Sequence, residues 1–417
     1  MQFSRPLPYH YVAPAPRPWL ARALTPCVRS RLLKRVLNVH ETHTHGLDTL
    51  IDLQRRGHAL VITANHPGHA DGWSLICSFI PRGLSTYTLS EYAGLVDNRR
   101  SNILAMRWFG AYSINPYDFD PASFDTSLSI LTGDDPRRSI LFFPEGGVCM
   151  RNDTPDPFRP GAFLLAARAA RQLQRRGSER RVFVAPIGLK FSFLRDARPA
   201  ITAVVDAMQD ELGLARDPLG GDPPAVLRRL GLALANHHLA QTDAGGQIAH
   251  LDDVPATAQR LLARAEAAMG LDPAEHATPA DRATADRRAF YRHINTGAPW
   301  PDQPCVEQLL NLAERLLSYQ PGYAAEHPTV DRIGDVVTQL YDDLHNRPLH
   351  LGVPRACELR CATPVDAADH ALQPGSKKKA IAALAQEAHR LTAEQIDAAN
   401  RDNDRPGAQL WNDAAPR

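Results

Sequence analysis

Ala59-Leu60-Val61-Ile62-Thr63-Ala64-Asn65-His66-Pro67-Gly68-His69-Ala70-Asp71-Gly72 sets an unbroken apolar run directly against histidines, a Pro-Gly pair and an aspartate. An apolar, β-branched run of this length, closed by a turn signal, reads as a strand buried on both faces. Pro67 and Gly68 interrupt the backbone, and a helix is predicted from Ala70 through Phe79, with Trp73, Ile76 and Ile80 on one face. In an α/β protein, side chains shown at the carboxyl end of a strand face the crevice where ligands bind.

The same alternation continues in both directions. Downstream, strands are predicted at 84–89, 112–114 and 139–143, and at 182–185 with a second apolar run after Pro186 that reaches Phe193; residues 201–205 read as an edge strand. Helices are expected at 103–109, closed by Gly110, and at 124–132 and 162–175. Upstream lie a proline-rich extended arm over 1–18, a helix around 19–37 and a short helix at 46–56. The fold class expected is α/β, a mixed, largely parallel sheet covered by helices, with an added helical C-terminal region. Four segments follow: an N-terminal arm and amphipathic helix at 1–44, a catalytic core at 45–206, a mostly helical extension at 207–366 with a late strand at 357–361, and a polar helical tail at 367–417.

Composition narrows the function. The 417 residues are 44% hydrophobic, and 47 Lys plus Arg balance 46 Asp plus Glu for a net charge of +1, which gives no case for nucleic acid as a partner. Six cysteines, at 27, 77, 149, 305, 357 and 361, are too sparse for a disulfide scaffold and fit a reducing, cytoplasmic compartment. Cys357 and Cys361 lack the second pair that a structural zinc site needs. Residues 1–10 contain no apolar core of a secretory signal, and no window approaches the roughly 20 apolar residues of a spanning helix. Membrane contact is therefore expected to be peripheral, on the cytoplasmic face. Residues 19–37, with Arg22, Arg29, Arg31, Lys34 and Arg35, and residues 225–239 have the spacing of interfacial helices, which is also that of helices packed on a core.

A histidine whose second ring nitrogen is held by a carboxylate is a competent general base near neutral pH. His66 and Asp71 fit those roles if the turn folds the aspartate beneath the imidazole; alternatively, Asp71 caps a helix and His66 lines a loop. His66, His69 and Asp71 also permit a metal site. His40, His43 and His45, and the pair His237-His238, read as surface histidines. A second polar strand end follows at Phe143-Pro144-Glu145-Gly146, where a carboxylate and a glycine that lets backbone approach a ligand leave the 139–143 strand.

Taken together these stretches resemble the glycerolipid acyltransferase family, which moves a fatty acyl group from a thioester to the hydroxyl of glycerol-phosphate or a lysophospholipid. Asn65, His66 and Asp71 match the family's first motif, Phe143-Pro144-Glu145-Gly146 its third, and Val182-Phe183-Val184-Ala185-Pro186-Ile187 its fourth, over about residues 45–193. Asn152-Asp153 and the stretch from Pro157-Phe158 to Gly161-Ala162 extend the likeness to a bacterial branch. The second motif departs: in Gly110-Ala111-Tyr112-Ser113-Ile114-Asn115-Pro116, proline stands where the family places a phosphate-holding arginine. Gly147-Val148 also stands where many members have Thr or Ser followed by Arg.

The resemblance implies His66 as base and Asp71 as its orienting carboxylate. It implies Glu145 and Gly146 in the acceptor site, with Arg151, Arg159 or Lys190 as substitutes for the missing cation, and backbone at Gly68 or Gly146 as oxyanion donors. It implies no metal and no cofactor, with acyl-CoA or acyl-carrier protein as donor and a lipid or glycerol-phosphate-like acceptor. The alternatives are a non-catalytic protein that binds lipid or acyl thioester on the same fold, and a metal-dependent hydrolase using His66, His69 and Asp71.

Overall fold

A computed structural model describes residues 8–96, 100–242, 246–272, 278–297, 302–320, 322–372 and 376–413. Eight strands form one mixed, mostly parallel sheet: β1 (Val39–His45), β2 (Ala59–Ala64), β3 (Tyr87–Glu91), β4 (Ala111–Ile114), β5 (Ser139–Phe142), β6 (Val182–Phe193), β7 (Arg355–Cys361) and β8 (Val365–Asp366). Their order is β1-β7-β6-β2-β5-β3-β4, with β8 also on β6. β2 runs parallel to β5 and β6, and β3 parallel to β4 and β5. β7 is antiparallel to β6 and parallel to β1.

The central strands bury both faces, and their alternate residues divide the core. Ala59 and Val61 of β2 join Ile140, Phe142, Val182 and Val184 under helices Pro121–Thr132, Gly161–Arg175 and Lys377–Arg401. Leu60 and Ile62 face the other way with Leu141, Ala185 and Ile187, against Leu47–Arg55 and Asp71–Arg82. This period of two explains why β2 reads as continuously apolar: both faces are covered by helices.

The sheet is not confined to 45–206. β1 precedes that span, and β7, from the late strand expected at 357–361, inserts between β1 and β6. β1 carries His40, His43 and His45 on an exposed edge, where alternation of polar residues hides it from an apolar pattern. The polar helical tail expected at 367–417 instead contributes helix Lys377–Arg401 to the sheet's cover, burying Leu384, Ala388 and Ile396. Gly188 of β6 admits that close approach, since a Cβ there would lie 2.7 Å from Gln395 Cβ. The segment boundaries at 44, 206 and 366 thus do not divide the sheet.

Residues 201–205, expected as an edge strand, belong to helix Arg198–Glu211. The β-branched run suggested extension, but Pro199 opens the helix and Ile201, Val205 and Met208 recur on one buried face at helical spacing. The two apolar runs around Pro186 form one strand; pairing with β8 stops at Val184 and pairing with β7 begins at Ile187, and between them the Pro186 carbonyl accepts the Ala362 N–H at 2.9 Å while the proline itself has no N–H to pair. Residues 225–239 lie in helix Pro223–Ala240, whose Val226, Leu227, Leu230, Leu234 and Leu239 are buried in the helical region rather than presented outward. The 19–37 helix is present as Pro18–Cys27 and continues with wider turns through Val28–Val36. It buries Ala21, Thr25 and Leu33 and leaves Trp19 72% exposed. No helix among the described residues is long and apolar enough to cross a membrane.

Candidate active site

The end of β2 is clipped to β6 by a side chain. Asn65, wholly buried, accepts the Leu189 N–H at 2.7 Å and donates to the Leu189 carbonyl at 2.9 Å. This amide pair extends the ladder one step past Ala64 and fixes where the next residue projects.

That residue is His66. Its Nδ1 lies 2.8 Å from Oδ2 of Asp71, a wholly buried carboxylate in the first turn of helix Asp71–Arg82. The Gly68 N–H donates to the same oxygen at 2.9 Å, so the turn through Pro67 and Gly68 folds the aspartate back beneath the imidazole. The ring also stacks on Phe143 from the end of β5, centroid to centroid 4.1 Å. Two motifs from adjacent strands thus meet at one side chain, as their place at the carboxyl ends of parallel β2 and β5 requires.

A cavity of about 700 Å³ opens beside His66. Trp73, Ile76, Leu89, Met106, Phe109 and Leu165 give it largely apolar walls. Its groups able to carry positive charge are His66, His69 and Arg159, while Glu91, Asp118 and Asp120 lie toward the β3 and β4 end. Pro116 also lines that end. The 115–120 loop is held there by helix Pro279–Thr296: Arg288 donates to the Tyr117 carbonyl at 2.7 Å, and Arg292 holds Asp118 at 2.7 and 3.0 Å. The N-terminal arm adds Tyr9, whose hydroxyl bonds Asp120.

The expected acceptor residues separate. Arg159 lines the cavity and lies across Gly146, which has φ +81° and where a Cβ would come within 2.6 Å of the guanidinium. Arg151 does not line it; its side chain is buried, pairs with Asp156 and borders a smaller cavity with Tyr319 and Tyr323. Lys190 is buried among Asp153 and Asp331, with Arg332 holding the second oxygen of Asp153 at 2.7 Å. Glu145 is not among the residues lining the cavity: its two oxygens accept the backbone N–H groups of His66 at 2.7 Å and Asp156 at 2.8 Å. Burial, partly offset by those two N–H groups, pushes its carboxyl up to about 7.

Both expected oxyanion donors are already engaged, the Gly68 N–H by Asp71 and the Gly146 N–H by the Phe143 carbonyl at 3.1 Å. Gly147 and Val148, which line the cavity, have N–H groups without a partner among the described residues. The metal arrangement is not assembled, because His69 turns from the His66–Asp71 pair to Asp342 of helix Val330–His345, with Nε2 3.3 Å from Oδ2. Among the described residues no three His, Cys, Asp or Glu side chains converge as a metal site. No sequence signal linked Asp342 to this cavity, and the stacking of Phe143 was equally invisible.

Comparison of the chain with protein-family models, with curated proteins and with solved structures returned no match.

Proposed function

We propose that this protein is an O-acyltransferase, moving a fatty acyl group from acyl-CoA or acyl-carrier protein to a hydroxyl of a glycerol-phosphate, lysophospholipid or related acceptor. The observation that carries the reading is the His66 Nδ1–Asp71 Oδ2 contact of 2.8 Å at the edge of a large, mostly apolar cavity. An Nδ1–H held by the carboxylate leaves Nε2 as the basic nitrogen for the acceptor hydroxyl. The hydroxyl oxygen of the acceptor attacks the thioester carbonyl as His66 takes its proton, and Asp71 stabilises the resulting imidazolium. Gly147 and Val148 N–H groups are the donors proposed for the oxyanion of the tetrahedral intermediate. The apolar walls suit an acyl chain, and Arg159 is the cation proposed to meet an acceptor phosphate at the cavity. No cofactor takes part in this scheme.

Peripheral attachment to the cytoplasmic membrane face is part of the proposal. It rests on exposed Trp19 beside the exposed cations Arg22, Arg29, Arg31, Lys34 and Arg35. The function is tested by a mass-resolved screen of acyl-CoA and acyl-carrier-protein donors against glycerol 3-phosphate, lysophospholipids and simple alcohols. Acylated product that disappears in His66→Ala supports the reading. Binding of donor without product across the panel overturns it in favour of a non-catalytic acyl-thioester-binding protein.

A further inference from the structure

Two histidines face this cavity, and each is backed by a buried aspartate. His66 is held by Asp71 through Nδ1 at 2.8 Å. His69 also lines the cavity, with its side chain 31% exposed, and is held by Asp342 through Nε2 at 3.3 Å. Both carboxylates are wholly buried and each is steadied by a backbone N–H, from Gly68 at 2.9 Å and from Leu349 at 2.7 Å. A buried carboxylate is costly unless paired, and among the described residues the cation-capable side chain that Asp342 pairs with is His69. The contact is made through Nε2 and leaves Nδ1 as the nitrogen that Asp342 does not hold.

The acyl transfer proposed above, on which this inference rests, moves protons at two atoms: the acceptor oxygen loses one and the departing sulfur gains one. A single imidazole serves both when it can follow the reaction from one atom to the other. The ring of His66 is pinned by Asp71 on its edge and by Phe143 on its face. We propose that the two roles are divided, with His66 as general base and His69, oriented by Asp342, as general acid for the leaving thiolate. The hydroxyl proton passes to His66 Nε2 as the oxygen–carbon bond forms. When the tetrahedral intermediate collapses, the carbon–sulfur bond breaks and the sulfur electron pair takes the proton from His69 Nδ1. Thioester and alcohol become ester and thiol, His66 is left protonated and His69 neutral, and proton exchange with water restores both.

The test varies the leaving group. Turnover of an acyl-CoA is compared with that of the same acyl group on a thionitrobenzoate, whose acidic aryl thiol departs without a proton, in wild type, His69→Gln, Asp342→Asn and His66→Ala. Loss of a general acid lowers kcat with the CoA thioester by about a hundredfold or more. The loss in His69→Gln shrinks to below about threefold with the aryl thioester, while His66→Ala fails on both. Asp342→Asn, which can still accept the Leu349 N–H, shows the same dependence at smaller amplitude and guards against a folding defect in His69→Gln. Equal losses of His69→Gln on the two donors, or no loss on either, overturn the role of His69 while leaving the acyltransferase reading intact. Absence of wild-type turnover on both donors with every acceptor overturns the reading, and this inference with it.

Discussion

The carboxylate of Glu145 accepts the backbone N–H of His66 at 2.7 Å, so the turn after β5 holds the backbone from which the β2 histidine projects. Its second oxygen holds Asp156 at 2.8 Å, and Arg159, three residues on, reaches back over Gly146. Glu145 therefore acts on this site from behind, by setting where His66 and the 156–159 segment lie. A buried carboxylate between two backbone donors is exposed to two opposed effects, the cost of desolvating its charge and the gain from the two N–H groups.

Burial is the larger of the two, and the carboxyl is pushed from an ordinary 4.5 to about 7. The folded state thus holds a proton that the unfolded chain has released between these values. The stability it contributes is present in full below about pH 4.5 and is lost as pH rises through about 7. Glu145→Gln does not titrate. The difference in unfolding free energy between wild type and this variant should move against the wild type by on the order of 3 kcal/mol across that window. Denaturant melts at a series of pH values check it, and a pH-independent difference contradicts the upward shift.

His66→Ala should lower thioester-dependent acylation by at least about a hundredfold with little change in melting temperature, since the side chain sits at the cavity edge. Asp71→Asn should cost a comparable or larger factor, on the order of ten-thousandfold when tautomer control is decisive. Steady-state rates on folded protein decide both, and an unchanged rate in Asp71→Asn removes the dyad.

Asn65 and Asn152 bind one strand in the same manner: Asn65 pairs with both backbone groups of Leu189, and Asn152 with both of Phe191. Replacing either by alanine leaves a buried N–H and C=O of β6 without their partner, at about 1–3 kcal/mol for each unsatisfied group. Both variants should melt well below wild type, whereas Arg159→Gln, at an exposed position, should stay within about 0.5 kcal/mol. Chemical denaturation measures all three. Wild-type stability in Asn65→Ala would show that the clip carries no energy.

Gly146→Ala places a β-carbon in a left-handed backbone position and against the Arg159 guanidinium. Arg159 must move, so this variant and Arg159→Gln should both raise KM for a phosphate-bearing acceptor by about tenfold, with smaller effects on a neutral alcohol, as expected for loss of a charged hydrogen bond. Equal KM values for both acceptor types in both variants argue against Arg159 as the acceptor cation.

Trp19 and the cations of residues 22–35 should bring the protein onto anionic vesicles and leave it off neutral ones. Each basic residue near such a surface adds about 1 kcal/mol, screened by salt. Trp19→Ala, and separately Arg31→Glu with Lys34→Glu, should weaken cosedimentation with phosphatidylserine-containing vesicles. Full recovery of wild-type protein in the supernatant at low salt contradicts attachment through this helix.

Much of this molecule was legible in short windows of sequence. The β2 run and the turn into helix Asp71–Arg82 are written in neighbouring residues: β-branched apolar side chains favour a strand, and Pro67 with Gly68 ends it. The His66–Asp71 pairing was open to sequence reasoning for the same reason, five residues being close enough for one turn to join. Long-range pairing was not. β7 enters the sheet beside β1 across more than three hundred residues, and Asp342 reaches His69 over 273, separations at which no local period or turn signal carries information. The roles of Glu145 and Arg151 were decided likewise, since a carboxylate or guanidinium near a motif faces cavity or backbone only according to what packs around it. Sequence alone determined which residue types stand at the ends of which strands; tertiary structure decided which of them face the cavity, because that depends on strand order and helix packing, and both are settled by burial across the whole chain.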